Sequence, residues 1–184
     1  MSEQNNTMSR SLALRLGAPM AIFMAVLLTS SFKGSDIDEY QVKAMFITNF
    51  IKYVDWSSNE NESDFIIGIV GQSDIKAELE KIAESKKGNR PMKVVQLDPE
   101  KPVPCNIVFV AQSESRRVKK LARDFAGKGV LLVSEDNKSA SRDAGINLIK
   151  IDNKIKFEIN QTSIRYAGLR LSSQLQLLAA ALHP

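Results

Sequence analysis

Three short runs constrain this chain more than anything else in it. FIIGIVG (65–71), CNIVFVA (105–111) and VLLVS (130–134) are almost wholly apolar, broken only by Asn106 and Ser134, with no polar residue at every second position. A strand of that kind needs cover on both faces, which a mostly parallel sheet with helices above and below supplies. Patterns of helical period stand between and after these runs. RPMKVVQL (90–97) adds a further strand, with Pro91 suited to a strand's beginning or to an edge. INLIKI and KIKFEIN follow, joined by Asp152 and Asn153 as a two-residue hairpin turn. The expected fold is α/β, a three-layer α/β/α sandwich with a mostly parallel central sheet. The C-terminal hairpin supplies an antiparallel edge, and a long C-terminal helix follows it.

The first helix is expected over 38–54, IDEYQVKAMFITNFIKYV in context. Tyr40, Ala44, Ile47, Ile51 and Val54 recur on one stripe, with Phe46, Phe50 and Tyr53 flanking it. Asp36 or Asp38 can cap its start. Apolar residues on more than one side mean more than one neighbour must cover it. Ser73 caps a second helix over 74–85, closed by 86–88, and a third is expected over 113–125, closed by Gly127. In the last stretch, Ile164, Ala167, Gly168, Leu171, Leu175, Leu178, Ala179 and Leu182 fall within one arc of a helical wheel, the face expected to be buried on the sheet or the first helix. Tyr166, Leu169, Ser173, Leu177 and Ala180 form a weaker second stripe. That second stripe either packs under the first helix or serves as a dimer or partner surface, with Tyr166, Leu169, Ser173 and Leu177 as the candidates.

Residues 1–35 read as a targeting segment. Arg10 and Arg15 precede an apolar run, 16–28, which suits a signal-peptide core and falls short of the roughly 20 residues that cross a bilayer. Ser30, Ser31, Gly34 and Ser35 all offer small residues for cleavage, and an uncleaved anchor is the other reading. Residues 36–184 then form a single domain. The net charge of +4 falls to about +2 once three cations (Arg10, Arg15, Lys33) and one acid (Glu3) leave, which is no nucleic-acid signature. Cys105 is the only cysteine, so no intrachain disulfide is possible; its apolar setting reads as a buried thiol, an intermolecular bridge being the alternative.

Catalytic chemistry is hard to assemble from this chain. Its one histidine, His183, lies next to the terminus and is expected to fray, so no Ser-His or Cys-His pair forms. One cysteine and one histidine make no zinc site, and no phosphate-binding glycine motif is present. No metal, no cofactor and no enzymatic activity are expected. An internal echo offers a binding site instead. VGQSDIKAELEKIA and VAQSESRRVKKLA share apolar strand, Gln-Ser, acid and helix. This places Gln72, Ser73, Gln112, Ser113, Ser134 and Glu135 at the carboxyl ends of strands, where open α/β sheets bind ligands. Ordinary capping explains the same residues.

The pieces together resemble the YfiR family of periplasmic regulatory proteins, over roughly 40–182. The opening helix is similar in Val42, Lys43, Ala44, Phe46, Asn49, Phe50, Lys52 and Trp56. IIGIVG, the strand beginning near Arg90, CNIVFV and LLVSE resemble successive family strands. The most specific likeness is AGINLIKIDNKIKFEIN followed by AGLRLSSQLQLLA, marked by Gly145, Phe157, Glu158, Asn160, Gly168, Leu169, Ser172, Ser173, Leu175 and Leu178. Ser57 replaces the family's usual proline, and the lone Cys105 rules out carrying over control by intrachain disulfides. The resemblance implies an exported, non-enzymatic protein that dimerises and modulates a membrane-bound signalling receptor through its periplasmic sensor domain. In relatives the receptor is a diguanylate cyclase, relieved by an outer-membrane lipoprotein; others occur beside histidine kinases. The alternative is a periplasmic small-molecule binding protein using the strand-end crevice.

Overall fold

A computed structural model describes residues 38–56, 64–85, 90–101, 103–135 and 143–184. The targeting segment expected at 1–35 and the helix end expected at 86–88 lie outside the described residues. Ile37–Pro184 forms one compact unit. Its elements are α1 (Glu39–Phe50), β1 (Val54–Asp55), β2 (Phe65–Val70), α2 (Ile75–Ser85), β3 (Met92–Gln96) and β4 (Ile107–Val110). A 3-10 turn (Gln112–Arg117) leads into α3 (Val118–Asp124), then β5 (Leu131–Ser134), β6 (Ile146–Ile151) and β7 (Lys154–Asn160). The chain ends with α4 (Gln161–Tyr166), β8 (Arg170–Leu171), α5 (Ser173–Leu178) and β9 (Ala181–His183).

Seven of the described strands form one sheet in the order β3-β2-β4-β5-β6-β7-β9. From β3 through β6 every neighbouring pair is parallel. The expected α/β architecture is therefore present, and the reason the strands lack alternation is visible in β4. Ile107 and Phe109 join the core beneath α1 and α2, while Val108 and Val110 join a second core beneath α3. Each such side chain contributes about 1.5–3 kcal/mol on burial, so polar residues are expensive on either face. The β6–β7 hairpin is antiparallel. Asp152 and Asn153 both have positive φ (49° and 60°), the two left-handed residues of a type I′ turn.

Two expectations are corrected. The hairpin is not the sheet's edge, because β9 pairs parallel to β7 beyond it. His183 therefore lies within a strand, its Nε2 3.6 Å from Glu158 Oε2, rather than fraying.

The expected long C-terminal helix is instead two six-residue helices with a two-residue strand between them. Gly168 has φ +80°, where an L side chain is strained and a helix cannot continue. Its N–H donates to Arg165 O at 3.0 Å and that of Leu169 to Ile164 O at 3.1 Å, the paired bonds of a Schellman stop. Leu169 and Ile164 both enter the core, completing the apolar contact of that motif. Arg170 and Leu171 then pair antiparallel with Asp55 and Val54. Ser172 restarts the helix by accepting from Leu175 N at 3.2 Å. The stretch is apolar enough for a helix, but its glycine stop and serine cap divide it.

Candidate functional site

The six residues expected at the strand ends do lie there, but they separate by burial. Gln72, Gln112 and Ser113 are exposed and Ser73 is half-buried; Ser134 and Glu135 are buried. Ser73 does local work, accepting from Ile75 N at 3.4 Å at the start of α2. The order of the parallel strands reverses between β2 and β4, with β3 on one side and β5 on the other. Such a switch point is where a crevice opens in this class of sheet. Here it is crowded. A Cβ on Gly71 would meet Glu114 Cγ at 2.9 Å and Ser113 Oγ at 3.2 Å.

One step along, the space beyond β5 is occupied by a side chain from another element. Lys43 reaches from α1, and its Nζ stands 2.6 Å from both Glu135 Oε2 and Glu39 Oε1. Its side chain is 8% exposed and that of Glu135 6%. Glu135 Oε1 also accepts from Gln112 N at 3.3 Å, and Lys43 lies 4.7 Å from the centre of the Tyr40 ring. Glu39 Oε2 continues the chain to Lys150 Nζ on β6 at 2.9 Å. Beside it, Ser134 Oγ donates to Asn147 Oδ1 at 3.0 Å.

Burial pulls the Lys43 ammonium downward in pKa, but its hydrogen bonds to Glu135 and Glu39 outweigh that and hold it above the usual lysine range. Hydrogen bonds from Lys43 and then Lys150 hold the Glu39 carboxyl below its usual range. This arrangement fastens α1 across the ends of β4, β5 and β6. A cation whose acceptors already surround it is a poor general acid, and the Ser134 hydroxyl proton is engaged by the Asn147 amide oxygen. Among the described residues no group of three or more His, Cys, Asp or Glu is placed to hold a metal ion.

Lys43 was readable only in part. It falls on the same helical stripe as Tyr40, Ala44 and Ile47, and a lysine on a core stripe needs a counter-charge. Nothing local says that the counter-charge is Glu135, ninety-two positions on.

The four candidates for a partner surface do not share a face. Leu169 is 2% exposed and belongs to the core, because the Schellman stop turns it inward. Tyr166 (68% exposed) ends α4, while Ser173 and Leu177 (85% exposed) lie on α5. Leu178 and Leu182, expected on the buried arc, are exposed instead, whereas Ile164 and Leu175 are buried. The exposed apolar groups of this region are thus Tyr166, Leu177, Leu178 and Leu182. Among the described residues no helix is long and apolar enough to cross a membrane.

A family model described as YfiR/HmsC-like matches residues 40–180, which is most of the chain and nearly all of its compact unit. A search of curated proteins finds no match. The chain belongs to the YfiR/HmsC-like family.

Proposed function

From that membership we propose that the protein is an exported regulator without catalysis of its own, which binds and modulates a membrane-bound signalling receptor. The receptor class is a diguanylate cyclase or a sensor kinase, engaged at its periplasmic domain. The family match across the compact unit carries this reading. The exposed leucines of α5 and β9 support it, since a regulator acting by contact needs accessible apolar area. Residues 1–35 act as the export signal in this reading, and the regulator works as a homodimer. Regulation then follows from differential binding: whatever the protein holds must favour one state of the receptor over the other.

Partner capture tests this directly. The tagged chain, expressed with its own first 35 residues, is recovered from detergent-solubilised membranes alongside a Leu177→Glu bait. The expected result is retention of a receptor with a periplasmic sensor domain, reduced for the variant. Recovery of the folded bait with no such receptor overturns the regulatory reading. N-terminal sequencing of the recovered protein should place the mature start near Ser30–Asp36, and light scattering on the eluted protein reads its copy number.

A further inference from the structure

At the opposite ends of the strands from the Lys43 cluster lies a cavity of about 250 Å³. It opens between α3 and α4, beside the start of β5 and the residue preceding β6. Its floor is apolar: Phe125, Leu131, Leu132 and Ile164. Ala122 keeps the α3 side low. The backbone forms a wall at Gly145, where a Cβ would come within 2.6 Å of Ile164 Cδ1 and 3.2 Å of Leu131 Cδ1. Such a volume takes a ligand of roughly ten to fifteen non-hydrogen atoms.

The rim is charged in a particular way. Lys119 and Arg123, one turn apart on α3, both line the cavity. Two neighbouring cations are neutralised: Lys120 pairs with Asp124 at 3.0 Å, and Arg117 with Glu114 and Glu100 at 2.6 and 2.7 Å. Among the described residues, Lys119 and Arg123 have no ion pair. Arg123 Nε donates to Lys119 O, at 3.4 Å. Asp124, the one acid of this helix, is paired with Lys120 and does not line the cavity, whereas Lys119 and Arg123 do. Asp143 stands on the rim as well, and its carboxylate disfavours a second negative group on the ligand.

We propose that this groove binds small amphipathic monocarboxylates, with the apolar body on Phe125 and Ile164 and the carboxylate between Lys119 and Arg123. The site does not depend on the receptor reading, and its failure would leave that reading untouched. Because both cations are exposed, the head-group contribution weakens with salt while the apolar contribution does not.

Octanoate, with octanol as its uncharged counterpart, is the probe, titrated into the isotope-labelled chain at fixed ionic strength. Octanoate should shift amides of 119–125, 130–132 and 162–167 with a saturable profile, and octanol should bind at least about tenfold more weakly, the difference made by one charge-assisted contact. Lys119→Gln with Arg123→Gln should remove that difference, and Ala122→Phe should abolish binding by filling the groove. No shift in those amides, equal binding of octanol, or full octanoate affinity in the double glutamine variant each overturns the proposal. The glutamine substitutions lie on the surface, so they keep the test alive if Ala122→Phe fails to fold.

Discussion

The carboxyl ends of the parallel strands and the stretch after Asn160 were both candidates for function, and they are built in opposite ways. The strand ends are polar in sequence yet sealed: Lys43 and the two glutamates fill the space with their own charges. The last stretch is apolar in sequence yet open, with Leu177, Leu178 and Leu182 exposed. Composition misleads at both places for one reason. Burial follows which backbone bonds a segment can make and what reaches it from elsewhere, and only the first of these is local.

The comparison breaks most easily at Lys43. Lys43→Ala leaves Glu135 buried beside an empty position, which should lower stability by about 3–5 kcal/mol. Lys43→Met with Glu135→Leu should recover most of it. Urea unfolding of the two variants decides the matter; a single variant within 1 kcal/mol of wild type, by the same rough scale, would show the cluster to be dispensable.

Gly168→Ala reads the other region, and its sign is informative. In a continuous helix, replacing glycine by alanine stabilises by up to about 1 kcal/mol. At φ +80° it should instead destabilise by roughly 1–2 kcal/mol. Thermal melts of the two proteins separate these outcomes.

The pH profile sharpens the first region further. Glu39 titrates below its unfolded value of 4.5, so its contribution is present above pH 4.5 and lost as pH falls through the lowered folded value. Lys43 titrates above 10.5, so its contribution is present below pH 10.5 and lost as pH rises through the raised folded value. Stability from this cluster should be flat between 4.5 and 10.5 and fall on both sides. Lys43→Met should remove its alkaline limb and shallow the acid one, leaving Glu39 with Lys150, as melting midpoints against pH would register.

The smallest effect belongs to the surface. Leu177→Glu should change stability by less than about 0.5 kcal/mol, since the side chain is almost wholly exposed. A loss above 1 kcal/mol, on that same rough scale, would mean Leu177 is covered in the folded protein.

Much of the architecture was legible because the parallel strands are apolar on both sides, and only a covered sheet tolerates FIIGIV, NIVFV and LLVS together. The hairpin was legible for a local reason too, since Asp152 and Asn153 accept the left-handed backbone a two-residue turn demands. The C-terminal break was written in the sequence as well: a glycine between apolar residues and a serine four positions later are ordinary stop and start marks. They are overshadowed by a run of leucine and alanine whose helical spacing looks continuous. Short strands such as β8 and β9 carry no pattern of their own and exist only because β1 and β7 offer them partners. The Lys43 cluster is illegible for the same non-local reason, apart from the oddity of a lysine on a core stripe.

The two cores also differ in thickness. α1, α2, α4 and α5 all contribute to one, whereas among the described helices α3 alone closes the other, over Val108, Val110 and Leu132. Cys105 is buried in that thinner core. The only thiol in the chain is therefore a built-in clock: its labelling rate by a cysteine reagent counts how often this side of the molecule lifts, without any engineered probe and without a second thiol to confuse the count.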